Sequence, residues 1–201
     1  MLVIRNIMRE SGYSQFKIQN SKFRIQNYGI IPPYAHNTQR LGETPTMERT
    51  LVLLKPDALQ RGLIGEITAR FERKGLKLVG MKMMTLQDAL LDEHYSHLSH
   101  LPFFGEIKQF MMRAPVIATC WEGVDAVAAV RLLCGKTLSR EADPGTIRGD
   151  FGMSIQANLV HASDSLETAA NEVPRFFKPE ELFDYDWLPL QYLYTRKEQG
   201  D

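Results

Sequence analysis

The chain has 201 residues, with 24 lysines and arginines against 24 aspartates and glutamates, so its formal charge is zero. That length suits one ordinary domain with a core, and the balance offers no electrostatic footprint for nucleic acid. No apolar run approaches the roughly 20 residues that cross a bilayer, so a membrane-spanning helix is excluded and a cytoplasmic location is expected. Residues 1–46 depart from the balance, with six basic residues against two acids. Cys120 and Cys134 lie in apolar segments without metal-type spacing, as buried, reduced thiols do.

In chain order, Phe16-Lys17-Ile18-Gln19-Asn20 returns as Phe23-Arg24-Ile25-Gln26-Asn27, and Pro32, Pro33, Gly42 and Pro45 follow. Two copies are too few for a coiled coil, and an isolated hairpin is marginal in water. Residues 1–46 therefore read as a disordered extension, either a start placed too far upstream or a basic targeting segment. A domain is expected over residues 47–201. Thr50 to Leu54 has the continuous apolar character of a buried strand, and Lys55-Pro56-Asp57 then opens a helix. Leu63, Ile64, Ile67 and Phe71 mark one face of a helix that Gly75 stops. A strand from Lys77 to Met84 follows, then helices over Gln87 to His97 and Phe103 to Met112. Next come a strand from Val116 to Trp121 and an apolar helix from Val124 to Cys134. A polar loop from Gly135 to Asp150 leads to a strand ending near His161, a helix beginning near Ser165, and a tail containing Pro174, Pro179 and Pro189.

His161 stands out. An apolar stretch delivers its imidazole to the edge of a turn, where Ser163-Asp164-Ser165 offers oxygens to start the next helix. Upstream, Pro144-Gly145-Thr146-Ile147-Arg148-Gly149-Asp150 is a glycine-bracketed loop carrying one guanidinium. A neutral imidazole is a nucleophile near pH 7, and an arginine fork matches phosphate oxygens. The pair suggests phosphoryl transfer through histidine. No GxxxxGK[ST] loop is present, so the common P-loop route is excluded.

The motifs also agree in order and spacing with a known family. Glu48-Arg49-Thr50, Leu54-Lys55-Pro56-Asp57, His94-Tyr95, Pro102-Phe103-Phe104, Pro144 to Asp150 and Asn158 to Ser165 together resemble a nucleoside diphosphate kinase from Glu48 to about Thr195. The resemblance implies an α/β (α+β) fold: a ferredoxin-like βαββαβ core with a four-stranded antiparallel sheet flanked by helices. It implies transfer of the γ-phosphoryl group of an NTP to an NDP by a ping-pong route, with His161 phosphorylated at Nδ1. Glu172 resembles the carboxylate that orients this imidazole, Tyr95 the family's active-site tyrosine, and Ser163 its neighbouring hydroxyl. Lys55, Arg131 and Arg148 match the phosphate-binding cations and Thr137 a phosphate-binding hydroxyl. Phe103 matches the aromatic on which the base stacks, Ile107 the opposing apolar position, and Asn158 the contact to the sugar 3′-hydroxyl. Stacking accepts every base, so broad nucleotide use is implied. Magnesium is implied as a cofactor held by nucleotide phosphates, with no protein metal ligand.

A competing constellation is His94, His97 and His100, whose spacing of three could serve a zinc-stabilised interaction domain. No cysteine or paired carboxylate completes it nearby, and Pro102 implies that the helix has ended. The chain departs from the family pattern at Leu138-Ser139, where Asn-Pro is usual, and at Ala162, where glycine is frequent. The first change bears on assembly, for which a homo-oligomer is implied, hexameric or alternatively tetrameric. The second requires ordinary backbone angles at residue 162. The alternative to an enzyme is a catalytically silent nucleotide-binding regulatory module on the same scaffold, which would be expected to lose the nucleophile or a phosphate cation.

Overall fold

A computed structural model describes residues 47–187 and 190–199; the extension expected over residues 1–46 lies outside them. Four strands, β1 (Met47–Leu54), β2 (Lys77–Met84), β3 (Val116–Val124) and β4 (Val160–Ala162), form one sheet in the order β2-β3-β1-β4. Every pairing is antiparallel, and the sheet carries helices, which makes the expected ferredoxin-like α+β arrangement. Around it run α1 (Pro56–Gln60), α2 (Ile64–Lys74), α3 (Asp88–His94), α4 (Phe104–Met111), α5 (Ala126–Cys134), α6 (Ile147–Phe151) and α7 (Leu166–Phe176). Two short C-terminal helices, α8 (Leu190–Leu193) and α9 (Arg196–Gln199), follow.

The apolar run of β1 has a direct cause. Successive side chains point to opposite faces of a strand, and both faces here are covered. Val52 and Leu54 pack with Ile67 and Phe71 of α2 and Val130 of α5. Leu51 and Leu53 pack with Leu91 of α3, Met111 of α4 and Phe176 of α7. The same alternation fixes His161. In β4, Val160 and Ala162 join the first core, while His161 lies opposite Leu53 in register and so turns toward α3 and α7.

Several elements differ from their sequence expectation. The helix expected over Gln87 to His97 ends at His94 and gives way to a 3₁₀ turn over Ser96–Leu98. β3 runs on to Val124, so the following helix begins at Ala126, after Asp125 in a left-handed conformation. The polar loop holds a 3₁₀ turn, Ser139–Glu141, and α6. Pro174 belongs inside α7, not to the tail. Its exposed ring removes one backbone donor near the end of the helix, while Glu172, Val173 and Phe176 hold the buried face in place. Ala162 has no positive φ, as expected, and Ser139, where a proline is usual, is buried with its hydroxyl donating to Ser154 O over 2.8 Å.

Candidate active site

The ends of β1 and β4, the loop before β4 and the N-terminal half of α4 surround a cavity of about 600 Å³, within the size of small-ligand sites. Its lining includes Lys55, Tyr95, Phe103, Ile107, Arg131, Thr137, Arg148, Asn158, His161 and Glu172. Ser163 alone among the residues selected from sequence is not on the wall. It is fully buried behind it, where its hydroxyl donates to Glu172 Oε2 over 2.7 Å and accepts from the Leu51 amide over 3.3 Å.

Each group is delivered by local chain chemistry. Ser165 caps α7 by accepting from the Thr168 amide over 3.0 Å, which fixes the helix that carries Glu172. Glu172 faces β4 and lies 3.0 Å from Nε2 of His161. Burial alone would raise the Glu172 carboxyl, but the His161 and Ser163 hydrogen bonds and the His161 charge hold it below its ordinary value. With Nε2 engaged by the carboxylate, Nδ1 is the ring nitrogen left for a ligand. Tyr95 sits edge-on to His161 with ring centroids 6.0 Å apart, and its burial raises the phenol well above its usual range, so it remains a neutral hydroxyl.

The cations differ in kind. Lys55 follows β1 directly and donates to Asn158 Oδ1 over 2.7 Å; burial, with the nearby Arg148 charge, pulls its ammonium down to about 8. The Asn158 amide nitrogen donates to Thr137 O and Ile155 O, so this buried side chain ties the lysine to two loops. Arg148 does not present an open fork. Its Nη1 and Nη2 donate to Gly135 O and Val160 O over 2.7 and 2.8 Å, and Nε reaches Asn158 O at 3.4 Å. Its loop is pinned by Asp150, which accepts from the Gly145 amide and pairs with Arg70, both over 2.7 Å. Gly149 is required there, because a Cβ would strike the Asp143 carbonyl. Arg131 and Thr137 are exposed at the wall.

Phe103 caps the start of α4 and is 45% exposed, leaving a ring face for stacking, and Ile107 lies one turn on. Sequence reasoning missed Ile155, an exposed apolar residue on the same wall, because nothing in its neighbourhood marks a loop isoleucine as ligand-facing. It also missed Asp57, whose Oδ2 accepts from the Leu159 amide over 3.0 Å and holds Leu159 at a φ of 73°. That left-handed turn, uncommon for leucine, redirects the chain into β4. The three histidines considered together in sequence are separated: His94 is buried beside His161, while His97 and His100 are exposed.

The family described as nucleoside diphosphate kinase matches residues 48–182. A nucleoside diphosphate kinase of Parabacteroides distasonis is 60% identical over 152 residues, covering 76% of this chain and 99% of that protein. One of Bacillus licheniformis is 52% identical over 148 residues, covering 74% of this chain and 100% of the relative. Among solved structures, a halophilic nucleoside diphosphate kinase from Halobacterium salinarum in complex with CDP superposes with a TM-score of 0.73 at 44% identity, covering 75% of this chain and 100% of that one. The chain belongs to the nucleoside diphosphate kinase family.

Proposed function

We propose that this protein is a phosphotransferase that carries the γ-phosphoryl group of an NTP to an NDP on Nδ1 of His161. The observation that carries the reading is the His161 Nε2 to Glu172 contact of 3.0 Å, which fixes the proton on Nε2 and leaves a lone pair on Nδ1 beside the cavity. In the first half-reaction a bond forms from Nδ1 to the γ-phosphorus as the bond to the bridging oxygen breaks, and the NDP leaves with those electrons. The second half-reaction reverses this with another NDP. Splitting the transfer avoids bringing two polyanions together at once. As positive charge grows on the imidazole, the Glu172 carboxylate stabilises it.

The remaining side chains bind and orient. Lys55 gives two of its three donors to Asn158 Oδ1 and Gln156 O and keeps the third, and Arg131 and Thr137 face the cavity to receive phosphate oxygens. Arg148 presents its charge from a fixed position, and Tyr95 offers a neutral hydroxyl. Phe103 on one side and Ile107 on the other hold the base, and Asn158 Oδ1 retains a lone pair for the sugar 3′-hydroxyl. Glu106 and Asp164 are the exposed carboxylates among the lining residues, and both belong to a wall otherwise rich in cations. This donor set fits magnesium that arrives on the nucleotide phosphates, where it would shield their charge. Ser163 acts through Glu172. A silent regulatory module is not favoured, since the imidazole, its carboxylate and all three cations are in place.

Three further assignments belong to this reading. β2 is an edge strand with Met81 and Met83 exposed at 47% and 61%, which supports a homo-oligomer, hexameric or tetrameric. No helix of the described residues is long and apolar enough to cross a membrane, in keeping with a cytoplasmic enzyme. We take residues 47–201 as the catalytic unit, a reading supported by the family match over residues 48–182. A chain beginning at Met47 will therefore retain full turnover, and loss of activity on that truncation contradicts the assignment.

Brief incubation with γ-labelled ATP tests the carrier. The expected product is an acid-labile, base-stable phosphoenzyme, lost together with turnover in His161→Ala. An acid-stable label that survives this substitution removes His161 from the role.

A further inference from the structure

Behind the carrier imidazole lies a second one that the transfer does not use. His94, the last residue of α3, is 3% exposed, and neither of its ring nitrogens has a hydrogen-bond partner. Buried polar atoms without partners are rare and call for a reason. Its ring meets His161 edge-on with centroids 4.5 Å apart, and its Nδ1 lies 3.5 Å from Glu172 Oε1. That same oxygen is 3.0 Å from Nε2 of His161. One donor atom from each of the three residues fits within 4.8 Å of the other two.

Donors at about 2.0–2.1 Å from a tetrahedral zinc ion stand about 3.3 Å apart. The two pairs at 3.0 and 3.5 Å straddle that value, and a donor atom of each imidazole lies within 4.8 Å of the other, so small shifts bring all three donors to zinc distance. Two imidazoles and one carboxylate suit zinc and not magnesium, which prefers oxygen and resists dehydration. His94 is buried with neither ring nitrogen hydrogen-bonded, so its ring offers an unused lone pair beside the Glu172 carboxylate. Ser163 holds Oε2 of the carboxylate, leaving Oε1 between the two rings.

We propose that His94, Glu172 and Nε2 of His161 form a latent zinc site whose occupancy silences the phosphate carrier. Zinc takes the lone pair of Nε2, and the proton formerly on Nε2 moves to Nδ1. The imidazole stays neutral and no net proton is released, but the lone pair that would attack phosphorus is used up. The silencing rests on the reading of His161 as carrier, whereas the metal site itself does not.

Calorimetric titration of the nucleotide-free full chain with zinc chloride, in magnesium-containing buffer, tests the site. One zinc per chain is expected, lost in His94→Phe and retained when His97 and His100 are both replaced by Ala. Circular dichroism checks each fold, and His94→Gln serves if the phenylalanine variant does not fold. A brief pulse of γ-labelled ATP, read as an initial rate of labelling, then reports the carrier. Zinc at ten times its dissociation constant leaves about one-tenth of the label on the wild-type chain, while the His94 variant takes the same label with and without zinc. Zinc binding that survives loss of His94, or full labelling of the zinc-loaded chain, overturns the proposal. A chain that takes no label even without zinc overturns the carrier reading instead, and the calorimetric titration still decides the metal site.

Discussion

Lys55 Nζ lies 2.7 Å from Asn158 Oδ1, so the end of β1 and the loop before β4 share one polar junction across 103 positions of sequence. Burial and the Arg148 charge lower the lysine to about 8, which places its titration within reach of ordinary assays. Below pH 8 the ammonium is charged and ready for phosphate; above it the free enzyme loses that charge. Nucleotide binding, which favours the charged form, will weaken by up to about tenfold per pH unit above 8. Equilibrium ADP binding from pH 7 to 10 measures this, with Lys55→Arg as the comparison. A flat profile for the lysine enzyme contradicts the shift.

Glu172 and Ser163 should separate in their effects. Glu172→Gln keeps shape but loses the charge that steadies His161, and an orienting carboxylate of this kind is worth roughly 10- to 100-fold in rate. Ser163→Ala removes a fully buried hydroxyl that serves both Glu172 and the Leu51 amide. It will cost about 1–3 kcal/mol of stability, read by denaturant unfolding, and a smaller share of kcat. Equal stability of the Ser163→Ala and wild-type chains would show that the junction behind Glu172 is loose.

Arg148 and Arg131 provide a similar contrast. Both were selected as phosphate cations, yet Arg148 is 7% exposed and ties Gly135, Val160 and Asn158 together through their carbonyls. Arg148→Ala should lower the unfolding free energy by more than about 2 kcal/mol, since bonds to a charged group contribute about 1.5–3 kcal/mol each, and should reduce turnover as well. Arg131→Ala, on an exposed stretch of α5, should reduce turnover at nearly unchanged stability. Thermal melts and steady-state rates for the two variants distinguish these outcomes, and matching losses of stability would refute the contrast.

Much of this was legible in the sequence, for physical reasons that differ by element. β1 announced itself because a strand covered on both faces is apolar throughout, and Ser165 announced α7 because its side chain answers an unpaired amide. Periodicity could not choose the sheet order; that expectation came from the motif set and agrees with the pairing found. The cavity wall was readable where motif residues sit at or next to the ends of elements, as Lys55, Phe103 and His161 do. What stayed hidden arises from contacts between remote segments. Nothing local to His94 says that it lies against Glu172, and nothing local to Arg148 says that its fork is occupied by carbonyls. Pro174 misled because proline usually breaks helices, whereas here the buried face of α7 outweighs one missing hydrogen bond.

The central claim is that Glu172 holds Nε2 of His161 so that Nδ1 carries the phosphate. Phosphorus NMR of the trapped phosphoenzyme, compared with the two phosphohistidine isomers, reads the attachment atom directly. The account predicts a phosphoryl group on Nδ1 of His161 alone. A signal for Nε2-phosphohistidine, or for phosphate on any other side chain, would contradict it.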